Sequence, residues 1–305
     1  MSMLKAISSE TKLARQEIRQ GRFERSMALV TAFAAIVSGF EAYLQHQRGA
    51  FKDPFMWTPV ALTPPTLVVA AATVVKPRST RRLLQLISLA WLADGLVGTA
   101  LHIRGIGRLP GGFKLGQYNV VIGPPIFAPL LTAMVGVLGF CGSVLRPEVA
   151  HPRLAALRPT PKKLRSSDFG TGISRARFQQ VMALTTAAFG ALAGGEAYFE
   201  HLRGSFNQRW MWTPVWLTPP TVVAAVAAMQ SEKVAGKVLP ALSVAAFADG
   251  MIGFVLHLRG IKRMPGHFTN LRFNVVIGPP LFAPLLLCSV GLLGLIASLL
   301  KGKAD

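Results

Sequence analysis

His-x-Arg-Gly occurs four times in the chain, as His46, Arg48, Gly49; His102, Arg104, Gly105; His201, Arg203, Gly204; and His257, Arg259, Gly260. Each copy stands at the end of an apolar run. A neutral imidazole is the commonest side-chain ligand for metals, and histidines on facing helices of a bundle are how b-type haem and other transition metals are held. The pattern therefore predicts His46, His102, His201 and His257 as metal ligands. An arginine two residues further out lies where a haem propionate needs a cation, so Arg48, Arg104, Arg203 and Arg259 are the expected cofactor-binding partners. A plainer reading competes. Cations suit the negative end of a helix, and Gly takes the left-handed position after the last turn. Capping alone, however, does not ask for histidine four times at one register. His151 and His267 fall outside the repeated set.

The deep acidic residues of the apolar runs are read as Glu41, Asp94, Glu196 and Asp249, with no Lys or Arg beside them at that depth. A carboxylate in hydrocarbon costs at least ~2.5 kcal/mol, which makes a proton or cation path, or the orientation of a neighbouring histidine, the expected use. The competing use is structural, as partners for backbone groups freed by prolines.

The elements that position these groups follow from composition. Of 305 residues, 51% are hydrophobic and only 15% charged, whereas soluble domains carry roughly 25% charged residues. That places the chain in a bilayer. A bilayer core takes about 20 apolar residues in helix, and eight segments qualify: 26–47, 58–75, 83–104, 120–145, 181–202, 213–230, 238–259 and 275–300. Shifting the chain by 155 residues superimposes 22–145 on 177–300 without a gap, with roughly half the positions identical. The fold class expected is an all-α polytopic membrane protein of two tandem four-helix repeats, their pseudo-two-fold axis along the membrane normal. Its parts are a basic amphipathic segment 1–25, a first repeat 26–145, a basic linker 146–178, a second repeat 179–300 and a tail 301–305.

Eight spans leave both termini on one side. The loops on that side carry 22 of the 33 Lys and Arg residues, so the positive-inside rule puts the termini and linker in the cytoplasm of an inner-membrane protein and the four His-x-Arg-Gly motifs on the opposite face. Trp57, Trp210, Trp212 and Trp216 fall at the same boundary. Pro59, Pro64 and Pro65, with Pro214, Pro219 and Pro220, read either as interruptions of spans 2 and 6 or as helix starts. Gly-Pro-Pro at 123 and 278 reads as the start of spans 4 and 8. Cys141 and Cys288 lie in apolar runs without metal or disulfide spacing.

There is no phosphate-cradling loop, dinucleotide fingerprint, His-Glu-x-x-His helix or Gly-x-Ser-x-Gly elbow. A formal net charge of +20 without a nucleic-acid module points to anionic lipid rather than nucleic acid. Four functions fit the residues. The leading one is a redox subunit holding haem b or another transition metal and passing electrons between a periplasmic or extracellular donor and quinone. The others are a cation- or proton-coupled transporter, a metal-dependent enzyme on an apolar substrate, and a structural anchor.

Overall fold

The structure is a computed structural model that describes residues 22–144 and 175–299; the expected segments 1–25, 146–178 and 301–305 fall wholly or mostly outside them. Every regular element among the described residues is helical. The first half contains α1 (Arg22–Arg48), α2 (Thr58–Val75), α3 (Pro77–Gly107), α4 (Gly116–Ile122) and α5 (Ala128–Val144). The second half contains α6 (Arg175–Arg203), α7 (Thr213–Ala228), α8 (Leu239–Arg263), α9 (Leu271–Ile277) and α10 (Ala283–Leu299). Short 3-10 turns, Pro54–Trp57 and Arg209–Trp212, lead into α2 and α7.

The helices are packed inside out relative to a soluble bundle. Along α1 the buried positions are Glu24, Met27, Ala28, Thr31, Ala34, Ala35, Val37, Ser38, Gly39 and Glu41, mostly small or polar residues. The opposite face carries Leu29, Phe33, Ile36 and Phe40, exposed to 59, 49, 38 and 55%. In water such large apolar groups would be driven inside. In lipid the drive is absent, and small residues face inward because they let helix backbones approach closely. Several buried hydroxyls bond within their own helices, as where Thr31 and Thr186 donate to the carbonyls of Met27 and Met182. Four stretches, Met27–Arg48, Pro54–Val75, Ser79–Gly107 and Val234–Arg263, are long and apolar enough to cross a membrane, and Ala128–Val144 and Ala283–Leu299 are shorter apolar helices. Together they mark a multi-pass helical membrane protein.

The course of the backbone corrects one expectation and decides between the two readings of another. Segments 120–145 and 275–300 are not single helices. Each is a seven-residue helix, a non-helical Gly-Pro-Pro stretch and then a 17-residue helix. The cause is local: prolines offer no N–H and push the preceding residue out of the helical region, and Gly123 and Gly278 are accordingly extended. Conversely, α2 and α7 run unbroken through Pro64, Pro65 and Pro219, Pro220. Pro59 and Pro214 stand in their first turns, where a missing N–H costs nothing.

Within each half the most extensive contacts pair α3 with α5 and α8 with α10. These crossings depend on glycine. A Cβ on Gly95 would lie 2.6 Å from both the Pro129 carbonyl oxygen and Ala133 Cβ, and one on Gly250 would lie 2.6 Å from the Pro284 carbonyl oxygen. The halves meet reciprocally, α1 against α9 and α10, and α6 against α4 and α5. One apolar core runs through both, from Met27, Trp91 and Leu138 to Met182, Phe189 and Leu293. Because backbone oxygens cannot move aside, Gly95→Val and Gly250→Val are each expected to lower stability by about 1–3 kcal/mol, the range for overpacked interiors, read as a fall in the thermal midpoint of the detergent-solubilised protein.

Candidate functional site

The four repeated histidines come together as two pairs. His46 at the end of α1 meets His102 on α3 with ring centroids 6.5 Å apart and planes at 72°. His201 on α6 meets His257 on α8 at 6.4 Å and 75°. Both pairs lie at one end of the bundle. Arg203, two residues beyond His201, donates to the carbonyl of Gly123, and Pro125, two residues further on, accepts from His102.

Each ring is held the same way. The Nδ1 atoms of His46, His102, His201 and His257 lie 2.6, 2.6, 2.7 and 2.6 Å from the carbonyl oxygens of Met56, Pro125, Met211 and Pro280. A carbonyl can only accept, so Nδ1 carries the proton and donates, and in the neutral ring Nε2 keeps its lone pair. The acceptors are carbonyls that prolines leave without helical partners. Pro129 and Pro284, four residues after Pro125 and Pro280, have no N–H to offer, and neither have Pro59 and Pro214, three residues after Met56 and Met211. Repeated prolines and repeated histidines are thus one device.

Helix capping explains little of the motif. Gly49 and Gly204 are not left-handed; the left-handed residues are the next two, Ala50 and Phe51 (φ 54° and 48°) and Ser205 and Phe206 (φ 55° and 47°). Non-glycine residues there carry strain that surrounding contacts must hold. Phe51 stacks on Trp57 at 3.8 Å and presents its ring at 6.1 Å to His46, while Phe206 does the same with Trp212 and His201. Gly105 and Gly260 lie inside α3 and α8, where a Cβ would come within 3.1 Å of Pro124 and Pro279. They seat the Gly-Pro-Pro turn against the helix that bears the histidine.

The carboxylates divide into two kinds. Glu41 accepts from the backbone N–H of Phe282 at 2.8 Å, and Glu196 from that of Phe127 at 3.0 Å, each reaching across to the other half where α10 or α5 is about to begin. Asp94 accepts from the Thr58 hydroxyl, and Thr213 bonds Asp249 in the same way. Arg48 and Arg203 also cross between halves. Arg48 donates to the carbonyls of Val276 and Gly278, and Arg203 to those of Val121 and Gly123. Arg104 and Arg259 are exposed.

Glu200 belongs to this group and was not singled out by spacing or charge. It forms an ion pair with Arg203 at 2.7 Å. Its counterpart in the first half is Gln45, which donates to Glu41. The signal was available in the repeat itself: the residue before the histidine is amide in one copy and acid in the other. Between α6, α7, α8 and the start of α10 lies a cavity of about 540 Å³, lined by His201, His257, Glu196, Glu200, Asp249 and Arg259 together with apolar groups including Trp210 and Leu286. Two imidazoles per half could hold an axially ligated metal group. Among the described residues no three His, Cys, Asp or Glu side chains converge as a metal site, and Cys141 and Cys288 are buried and unpaired.

No protein-family model matches the chain, and no match was found among curated proteins or solved structures.

Removal of the Glu41 carboxyl leaves the Phe282 N–H without its partner. Glu41→Leu is expected to destabilise the protein by roughly 1–3 kcal/mol, and Glu41→Gln, whose side-chain oxygen can still accept, by much less. Thermal unfolding of the purified variants checks this; equal losses would show that the charge, not the hydrogen bond, matters.

Proposed function

We propose that the protein is a membrane redox subunit with two bis-imidazole centres, one in each half, at the same end of the bundle. The observation that carries this reading is the pairing of imidazoles whose Nδ1 atoms are engaged by carbonyls, leaving Nε2 for a ligand. In each pair both rings would then offer Nε2 to one group. The pairs stand at 6.5 and 6.4 Å. Two histidines per centre would suit haem b better than the three- and four-ligand sites of zinc or non-haem iron enzymes. His46 with His102, and His201 with His257, would hold the group, and it would supply one-electron chemistry.

The chain's own residues have defined parts in this reading. The carbonyls of Met56, Pro125, Met211 and Pro280 orient the rings and raise their basicity through Nδ1–H. Arg104 and Arg259 are the cations free to meet propionates. Arg48 and Arg203 are engaged with carbonyls of the opposite half, and act on the centres through the position of the Gly-Pro-Pro turns. The transporter reading loses support because α2 and α7 are continuous and because Glu41 and Glu196 are tied to backbone amides.

The finer architecture is part of the proposal: eight spans as two tandem four-helix repeats about an axis along the membrane normal, with α4 and α9 completing the crossings of the shorter α5 and α10. The cation asymmetry places both termini in the cytoplasm of the inner membrane and the histidines at the other face. Quinone in the bilayer and a non-cytoplasmic donor are the corresponding electron partners.

Reporter fusions at residues 110 and 160 are expected to read non-cytoplasmic and cytoplasmic; the reverse would overturn the orientation. Purified protein is expected to give a Soret band that shifts on reduction, with two haems per chain by pyridine haemochrome. His46→Ala and His201→Ala are each expected to halve it, while a double His46→Arg, His102→Arg variant that keeps full haem content would refute axial ligation.

A further inference from the structure

The end of α8 and the turn after it carry a cluster that the first half lacks. Arg259, Lys262, Arg263 and His267 line one surface depression. At the positions 155 residues earlier stand Arg104, Gly107, Arg108 and Gly112, so the second half has added a lysine and a histidine where the first half has two glycines. None of the three cations has an acidic partner within ion-pair distance among the described residues, and all four side chains are exposed.

The histidine occupies a position built for glycine. His267 has φ 46°, and its counterpart Gly112 has φ 50°. A residue with a Cβ is disfavoured in the left-handed region, whereas glycine enters it freely. The His267 ring is held there by Nδ1, which donates to the Lys262 carbonyl at 2.6 Å. That bond leaves Nε2 as the ring nitrogen available to a ligand. A strained residue with its side chain fixed among unpaired cations is the arrangement of a ligand site rather than of a turn chosen for stability.

The surroundings say which anion. Phe268, Leu271 and Phe273, on the same turn and the start of α9, are exposed to 47, 45 and 54%, and Trp210 at the cavity mouth to 51%. Apolar and aromatic groups interleaved with cations belong at the headgroup level of a bilayer, where their rings favour the interface and the cations meet lipid phosphate. We propose that Lys262, Arg263 and His267, beside Arg259, form a binding site for the phosphate of an anionic phospholipid headgroup, present only in the second half. Arg259 and Arg263 also line the deep cavity beside His201 and His257, so the lipid would sit across its mouth. The site does not depend on the histidine pairs binding haem, since Lys262 and His267 lie outside them.

The test uses the full chain, comparing wild type with a His267→Gly, Lys262→Ala variant and with an Arg108→Gln, Lys114→Gln control in the first half. Retained phosphatidylglycerol is counted by native mass spectrometry after exchange into phosphatidylcholine nanodiscs containing graded phosphatidylglycerol. The expected result is one tightly retained phosphatidylglycerol whose affinity falls about tenfold in the first variant and stays unchanged in the control, in line with the loss of two cationic or donor groups near the surface. The thermal midpoint of the single variant His267→Gly is expected to hold or rise, because glycine relieves the left-handed strain; this separates lost binding from lost folding. Equal lipid loss in the control would overturn the proposal in favour of unspecific surface charge. Binding of inorganic phosphate without retention of phosphatidylglycerol would overturn the lipid as its source.

Discussion

Backbone groups that prolines leave unpaired are what the two halves of this protein exchange. Away from water an unsatisfied amide or carbonyl costs several kcal/mol, and the stretches around Gly123 and Gly278 expose several. Glu41 and Arg48, seven residues apart and so on one face of α1, reach over to the Phe282 amide and the Val276 and Gly278 carbonyls. Glu196 and Arg203 on α6 return the same contacts to Phe127, Val121 and Gly123. An acid for the donor and a base for the acceptors complete each junction. Each clasp fixes the turn that supplies the next histidine's carbonyl, so the interface between halves and the candidate centres are one construction.

That coupling changes how the charged residues are understood. A carboxylate in an apolar helix is usually taken as a site in itself. Here Glu41 and Glu196 serve a backbone, and the groups closest to chemistry are neutral rings held by carbonyls. The left-handed Phe51 and Phe206 fit the same economy of means: each strained turn is held by a stacked tryptophan and walls a histidine. Among the described residues, the left-handed non-glycine residues all lie at the end of the bundle where the rings stand.

Where the two halves repeat one another, their differences are informative. Gln45 against Glu200 puts a charge beside one histidine pair only, and Gly107 and Gly112 against Lys262 and His267 put a basic cluster beside the same pair. Glu200 lines the cavity of the second half, and Lys262 and His267 line a surface depression that shares Arg259 and Arg263 with it.

Much of the architecture is legible in the sequence because it is local. Apolar runs of helical length, a repeat at one fixed offset, and prolines that must start or stop a helix are properties of neighbouring residues, and they locate the helices and put four histidines at one register. Even the break at Gly-Pro-Pro follows from a missing N–H, although the short helices before it, Gly116–Ile122 and Leu271–Ile277, do not announce themselves within longer apolar runs. The partners of the polar groups are a different matter. Glu41 bonds an amide 241 residues away and Arg48 carbonyls 228 and 230 away. No periodicity carries that information, because which carboxylate faces which freed amide depends on how two helices cross. The pairing of His46 with His102 rather than with its repeat mate His201 is decided the same way, by the close approach of small residues along α1, α3 and α5. Sequence therefore determined which groups needed partners, and packing in three dimensions decided which partners they found.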